Sequence, residues 1–206
     1  IKLNNDPKNC NIILHGVIMM KADAVLEGGG VKGIGLVGAL SVAEKEGYAE
    51  WQNVAGTSAG AIVAALLAAG YTAKELEEII MDLDYSKFQD KSPLDRIPYL
   101  GSAISLLREK GIYEGTYLFQ WLSEKLNQKG VKKFSDLKTT YKEAKYKYKL
   151  RVIASNISER KMLVLPQDAV ELGVEPDDLS VAKAVRMSMG IPGFFEPVVQ
   201  SGSFIV

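Results

Sequence analysis

The chain has 206 residues, 47% of them hydrophobic, which is enough to bury the core of one domain and gives no compositional sign of disorder. Lysine plus arginine and aspartate plus glutamate balance at 25 each, so the whole-chain charge gives no pointer to a nucleic-acid partner. The single cysteine, Cys10, excludes an intramolecular disulfide and any cysteine-rich metal site, and it is compatible with a reducing, cytoplasmic compartment.

Residues 1–18 are polar at first and then briefly apolar around Ile12 to Leu14. They lack the long apolar region and small-residue cleavage site of a secretory signal, and they are too short for a membrane span. Met19-Met20 has the look of a natural start, so residues 1–18 are expected to be an extension or leader, with Cys10 and His15 as passengers, and residues 19–206 to form one domain. From Lys21 the pattern sharpens. Ala22 to Leu26 predicts a short strand, Glu27-Gly28-Gly29-Gly30-Val31-Lys32-Gly33 a loop, and Ile34 to Glu46 a helix. A second strand (Trp51 to Ala55) runs through Gly56-Thr57-Ser58-Ala59-Gly60 into an alanine-rich helix, Ala59 to Ala69, stopped by Gly70. Strand, loop and helix twice in succession predict an α/β domain with a central, mostly parallel sheet flanked by helices.

Ser58 between Gly56 and Gly60 has the form of a nucleophile elbow, in which a strained turn between strand and helix exposes a hydroxyl beside the helix N-terminus. A bare G-x-S-x-G arises by chance in roughly one such chain in ten, and the alternative is a plain strand-turn-helix in which Ser58 caps the helix. His15 is the one histidine and precedes Ser58, whereas a Ser-His-Asp hydrolase of the α/β-hydrolase order needs its histidine after the nucleophile. The base of a Ser58 nucleophile is therefore expected to be a carboxylate. The glycine loop has two readings. Gly28-x-Gly30-x-x-Gly33 after a strand satisfies a dinucleotide fingerprint, but that fingerprint wants an acidic residue at the end of the next strand, where Gly56-Thr57-Ser58 stands. Alternatively, the loop's exposed N–H groups form an oxyanion hole for an intermediate built on Ser58. Lys32 is either an ordinary solvated lysine or a residue that holds the loop or meets an anionic head group.

The pairing of G-G-G-x-K-G with G-T-S-A-G resembles the patatin-like phospholipase family, serine acyl hydrolases with a Ser-Asp dyad and a three-layer α/β fold. The resemblance implies Ser58 as nucleophile, Gly28, Gly29 and Gly30 as the oxyanion loop, and Lys32, Gly33, Gly56 and Gly60 in support. It also implies a lipid or phospholipid ester substrate, peripheral membrane contact, and no metal or cofactor. A catalytically inactive lipid- or partner-binding relative remains the alternative within the same family.

Further along, Thr72 to Leu83 predicts a capped amphipathic helix with Leu76, Ile79, Ile80 and Leu83 on one face. Residues 84–111 read as a connector, or as a cover over the site. Tyr113 to Asn127 predicts a helix with Leu118, Trp121, Leu122 and Leu126 in the core. Lys129 to Arg151 holds nine basic residues against two acidic ones, and residues 145–151 alternate as a strand with its cations on one face. Such a face is usually solvated, although it also suits an anionic bilayer. Val152 to Ser155 and Lys161 to Leu165 predict an antiparallel pair, and Ser180 caps a helix to about Met189.

Ser188-Met189-Gly190-Ile191-Pro192-Gly193-Phe194-Phe195 resembles the family's third block, with Pro192 in its turn. The family's last block is an aspartate followed by two small residues after a strand. Ser203 to Val206 predicts that strand, but no such aspartate is present in the 206 residues. The expectation is that the chain is truncated just before its catalytic aspartate, which would follow Val206. Asp168, Asp177 and Asp178 precede the third block in loop-like contexts and are not assigned that role.

Overall fold

A computed structural model describes residues 12–14, 17–30, 33–82, 115–190 and 195–206. Strands β1 (Ile12–Leu14) and β2 (Val17–Met19) pair antiparallel, with Ile13 opposite Ile18. The remaining strands are β3 (Lys21–Leu26), β4 (Glu50–Thr57), β5 (Leu150–Asn156), β6 (Lys161–Leu165), β7 (Val198–Gln200) and β8 (Ser203–Ile205). They form one sheet in the order β3-β4-β5-β8-β7, with β6 also paired to β5. The parallel heart is β3-β4-β5, and β6 and β8 run antiparallel to β5. This is the α/β architecture expected from alternating strands and helices.

Among the described residues five helices flank the sheet: α1 (Gly33–Lys45), α2 (Ala59–Ala68), α3 (Ala73–Met81), α4 (Thr116–Gln128) and α5 (Val181–Ser188). All ten residues of α2 are buried, as expected of a helix apolar all round, and it packs on β3, β4 and β5 as well as on the other four helices. Around it lie Leu118, Leu122 and Leu126 of α4 and Leu76 and Ile80 of α3; Trp121 is partly buried against them. The start of α3 is fixed by a capping box: the Thr72 hydroxyl accepts the Glu75 N–H while the Glu75 carboxylate accepts the Thr72 N–H. Ser180 likewise caps α5 by accepting the Lys183 N–H.

Strand β5 organises the sheet beside Ser58. One of its edges is taken by β6 through Asn156 opposite Lys161. On the other edge β4 pairs as far as Thr57 opposite Ile153, and β8 then takes over at Asn156 opposite Ile205. Ser155 and Val206 exchange two backbone hydrogen bonds, at 2.6 and 2.9 Å. Strands β4 and β8 therefore approach each other end to end along the same edge, and β4 breaks away at Ser58.

The close approach of three segments there depends on two glycines. A Cβ on Gly60 would lie 2.3 Å from the Leu26 carbonyl oxygen and 2.5 Å from that of Glu27, and one on Gly56 would lie 2.3 Å from the Gly60 oxygen. The end of β3, the end of β4 and the first turn of α2 are thus in backbone contact.

Two local expectations are corrected. Residues 145–151 do not form a continuous strand: Ala144–Tyr146 is a 3-10 turn, Tyr148 makes an isolated bridge to Lys138, and β5 begins only at Leu150. The reason is that the Lys149 N–H bonds to the Leu137 carbonyl and the Tyr148 ring packs edge-on against Phe134, which bends the segment away from the sheet. The sequence reading also missed β7 and the 3-10 helix Gln167–Leu172. The expected cover or connector at 84–111 lies outside the described residues, as do Cys10 and His15.

Gly60→Ala is expected to destabilise the fold by roughly 3 kcal/mol, because the methyl meets backbone that cannot step aside. Gly35, in α1 with open space around its Cβ position, should tolerate alanine and gain about 0.5–1 kcal/mol. Urea unfolding of the two variants checks this, and equal effects would contradict the contact.

Candidate active site

Ser58 lies between β4 and α2 with φ +52° and ψ −128°, the left-handed region that a side-chain-bearing residue enters at a cost of about 1–3 kcal/mol. Ser58 occupies the N-cap position of α2, but its side chain makes no capping hydrogen bond, so the hydroxyl is not spent on the helix. Several bonds hold the strained backbone. The Ser58 carbonyl accepts the Ala61 N–H at 2.8 Å, and the Ser58 N–H donates to Ser188 Oγ, also at 2.8 Å. Ser188 in turn donates its hydroxyl proton to the Ile153 carbonyl at 2.5 Å. Among the described residues, the half-buried Ser58 hydroxyl has as its hydrogen-bond partner the Met189 thioether at 3.7 Å, a weak acceptor that leaves the oxygen available.

The glycine loop lies directly beside it. A Cβ on Gly28 would sit 3.0 Å from Ser58 Cβ and 3.7 Å from Ser58 Oγ, so glycine at this position keeps the space in front of the hydroxyl open. Gly28, Gly29 and Gly30 are exposed, and Gly30 has φ +55°. Gly33 is buried at the start of α1, where its Cβ position is 3.7 Å from Ala59 Cβ. The two βα loops thus stand together at the C-terminal ends of adjacent parallel strands, where open α/β sheets place their sites. Gly56 and Gly60 do the packing described above. Lys32 and Pro192 lie outside the described residues.

The loop aspartates have other partners. Asp168 accepts the Val164 N–H at 2.6 Å, Asp177 meets Lys138, Lys147 and the Tyr148 hydroxyl, and Asp178 meets Lys133 at 2.7 Å. No group of three His, Cys, Asp or Glu side chains suited to a metal comes together among the described residues. The sequence reading placed Ser188 and Met189 in the segment resembling the third block but gave them no role; what it missed is that these two consecutive residues at the end of α5 touch the Ser58 amide and hydroxyl. A buried serine closing an amphipathic helix just before Met-Gly was the available signal.

A serine with positive φ at a strand-to-helix turn stands beside a glycine loop at the edge of a mostly parallel sheet, in an α/β domain. The chain belongs to the patatin-like phospholipase family, whose pattern it matches over residues 24–205. It is 42% identical over 183 residues to the uncharacterized protein YqhO of Bacillus subtilis, a match covering 87% of this chain and 58% of YqhO. It is 26% identical over 180 residues to the uncharacterized protein R571 of Acanthamoeba polyphaga mimivirus, covering 86% of this chain and 54% of that one. The chain thus spans little more than half the length of these relatives. Among solved structures, the type III effector protein ExoU of Pseudomonas aeruginosa shares the fold with a TM-score of 0.57 at 23% identity, covering 83% of this chain and 39% of ExoU. VipD from Legionella pneumophila does so with a TM-score of 0.55 at 21% identity, covering 89% of this chain and 45% of VipD.

The basic segment is less bare than its composition suggests. Lys138 and Lys147 share Asp177, Lys133 pairs with Asp178, Lys129 with Glu75 and Lys145 with Glu143. The hydrogen bond from Lys138, followed by those from Tyr148 and Lys147, holds the Asp177 carboxyl far below its ordinary range. A depressed folded-state pKa contributes stability that is present above the unfolded value and lost as pH falls through the folded one. Asp177→Asn should therefore lower the melting temperature at neutral pH, and the gap to wild type should shrink progressively below about pH 4, where the carboxyl of the unfolded chain begins to protonate while the folded one stays ionised. Thermal melts across pH test this; a gap independent of pH would contradict it.

Proposed function

We propose that this chain carries the nucleophile and oxyanion loop of a serine acyl hydrolase acting on lipid esters, of the phospholipase A or lysophospholipase type. The observation that carries the proposal is the Ser58 hydroxyl, held at a strained elbow without a capping partner and facing the space that Gly28 leaves empty. Family membership supports the lipid substrate class.

In this reading Ser58 Oγ attacks the ester carbonyl carbon, and its proton passes to a carboxylate base. The carbonyl oxygen becomes an oxyanion stabilised by the Gly28, Gly29 and Gly30 amides. Collapse of the tetrahedral intermediate releases the alcohol, which takes up the proton, and leaves an acyl-serine that water then cleaves. The register indicates where a base would enter. Val206 is level with Ser155 on the edge that β4 leaves at Ile153, so a residue following Val206 would come level with Ala154, next to the elbow. An aspartate there would complete a Ser-Asp dyad without histidine. Because the lysines of residues 129–147 named above are paired with carboxylates, the proposal does not rest on a cationic membrane patch. Among the described residues, no helix is long and apolar enough to cross a membrane.

The test uses the protein at its full natural length, with fluorophosphonate labelling and phospholipid ester hydrolysis as readouts. Ser58→Ala should abolish labelling and lower turnover by about 10⁴-fold or more. Gly28→Ala should lower it by roughly 100-fold by crowding Ser58 and displacing a donor. Equal hydrolysis by wild type and Ser58→Ala would end the hydrolase proposal. A folded, unreactive wild type would favour a non-catalytic lipid- or partner-binding role, and nucleotide binding indifferent to Ser58→Ala would favour the dinucleotide reading of the loop.

A further inference from the structure

The C-terminal turn of α5 meets the elbow at two consecutive residues and the end of β8 at a third. Ser188 holds the Ser58 N–H, and Met189 stands 3.7 Å from the Ser58 hydroxyl. A Cβ on Gly190 would lie 2.8 Å from Val206 Cα. Along the edge of β5 this turn fills the gap between β4, which ends opposite Ile153, and β8, which enters at Ser155. In that gap the Ile153 carbonyl has lost its strand partner, because the chain turns away at Ser58. The Thr57 hydroxyl reaches it only at 3.4 Å, whereas Ser188 reaches it at 2.5 Å.

We propose that Ser188 is a positioning residue whose hydroxyl, locked between the Ile153 carbonyl and the Ser58 N–H, sets the backbone of the nucleophile and so the aim of its Oγ. A serine hydroxyl has one proton and two lone pairs. The Ile153 carbonyl takes the proton, which turns a lone pair toward the Ser58 N–H. Ser188 is 7% exposed, so bulk water does not easily substitute for it. Its hydroxyl therefore replaces a ladder hydrogen bond at the point where the strand must end, and it ties the left-handed φ of Ser58 to β5, the sheet's most buried strand. Without it, two buried backbone groups lose their partner, and the strained residue is freed on the side away from α2. A displacement of about 1 Å at a reacting atom is enough to cost roughly 100-fold in rate.

The catalytic consequence rests on the hydrolase reading, but the positioning itself does not, so two readouts are used on the same variants. The first is hydrogen exchange of the Ser58 amide by NMR, compared with amides in the middle of α2. The second is kcat and KM of the protein at its full natural length, normalised by fluorophosphonate titration. In Ser188→Ala the Ser58 amide should exchange about 10-fold faster or more while the α2 core amides keep their protection. In the same variant kcat should fall roughly 10-fold to 100-fold with KM within about 2-fold of wild type.

Ser188→Thr keeps the hydroxyl and should restore both readouts. Ser188→Cys is close in size but a weak acceptor, and it should behave like alanine even if the alanine variant folds poorly. The proposal is overturned if a folded Ser188→Ala or Ser188→Cys protein keeps wild-type protection of the Ser58 amide. It is also overturned if the losses merely follow the melting temperature and threonine does not reverse them. If wild type neither hydrolyses esters nor labels at Ser58, the hydrolase reading fails while the amide exchange still decides the role of Ser188.

Discussion

The arrangement depends on three backbone segments being allowed to touch. The end of β3, the end of β4 and the first turn of α2 lie closer together than any side chain permits, because Gly56 and Gly60 contribute none. That contact fixes the direction in which α2 leaves the sheet and the place where the Gly28 loop leaves β3. It therefore brings Gly28 beside Ser58. The all-buried α2 makes the geometry expensive to alter, since moving the elbow would mean repacking a helix in contact with every other helix of the described fold.

Strain at Ser58 is then distributed over two sides. Toward α2, the Ser58 carbonyl is taken up by the first turn of the helix; toward β5, its N–H is taken up by Ser188. A residue in an unfavourable backbone region persists only when its surroundings over-determine it, and here the surroundings include an element more than a hundred residues away in sequence. The same α5 turn reaches the end of β8, so elbow, third block and final strand form one mechanical unit around the edge of β5.

The basic segment shows the same dependence on tertiary context from the opposite direction. Its lysines look unopposed in sequence because their partners lie elsewhere: Asp177 and Asp178 in the turn before α5, and Glu75 at the start of α3. Such exposed pairs add little stability each, but they change the surface from a cationic strip into a mixed one. The deduction of a continuous strand from residues 145–151 failed for a related reason. The alternation was real, since Tyr148 and Leu150 are buried, but the pairing of the segment with Leu137 and Lys138 divides it before the sheet begins.

The sequence by itself determined the parallel β3-β4 pair, the helices that follow its strands, the glycine-flanked serine and the family resemblance, because all of these are encoded in contiguous residues: period-2 and period-3.6 patterns, glycines at required positions, and caps such as Thr72 and Ser180. Only the tertiary structure decided that Ser58 is uncapped at φ +52°, that Gly28 faces it, that Ser188 holds its amide, and that β8 enters the sheet on the edge β4 vacates. Those relations join residues 30 to about 150 positions apart through backbone geometry and a single hydroxyl, which leave no periodic or compositional trace in the chain.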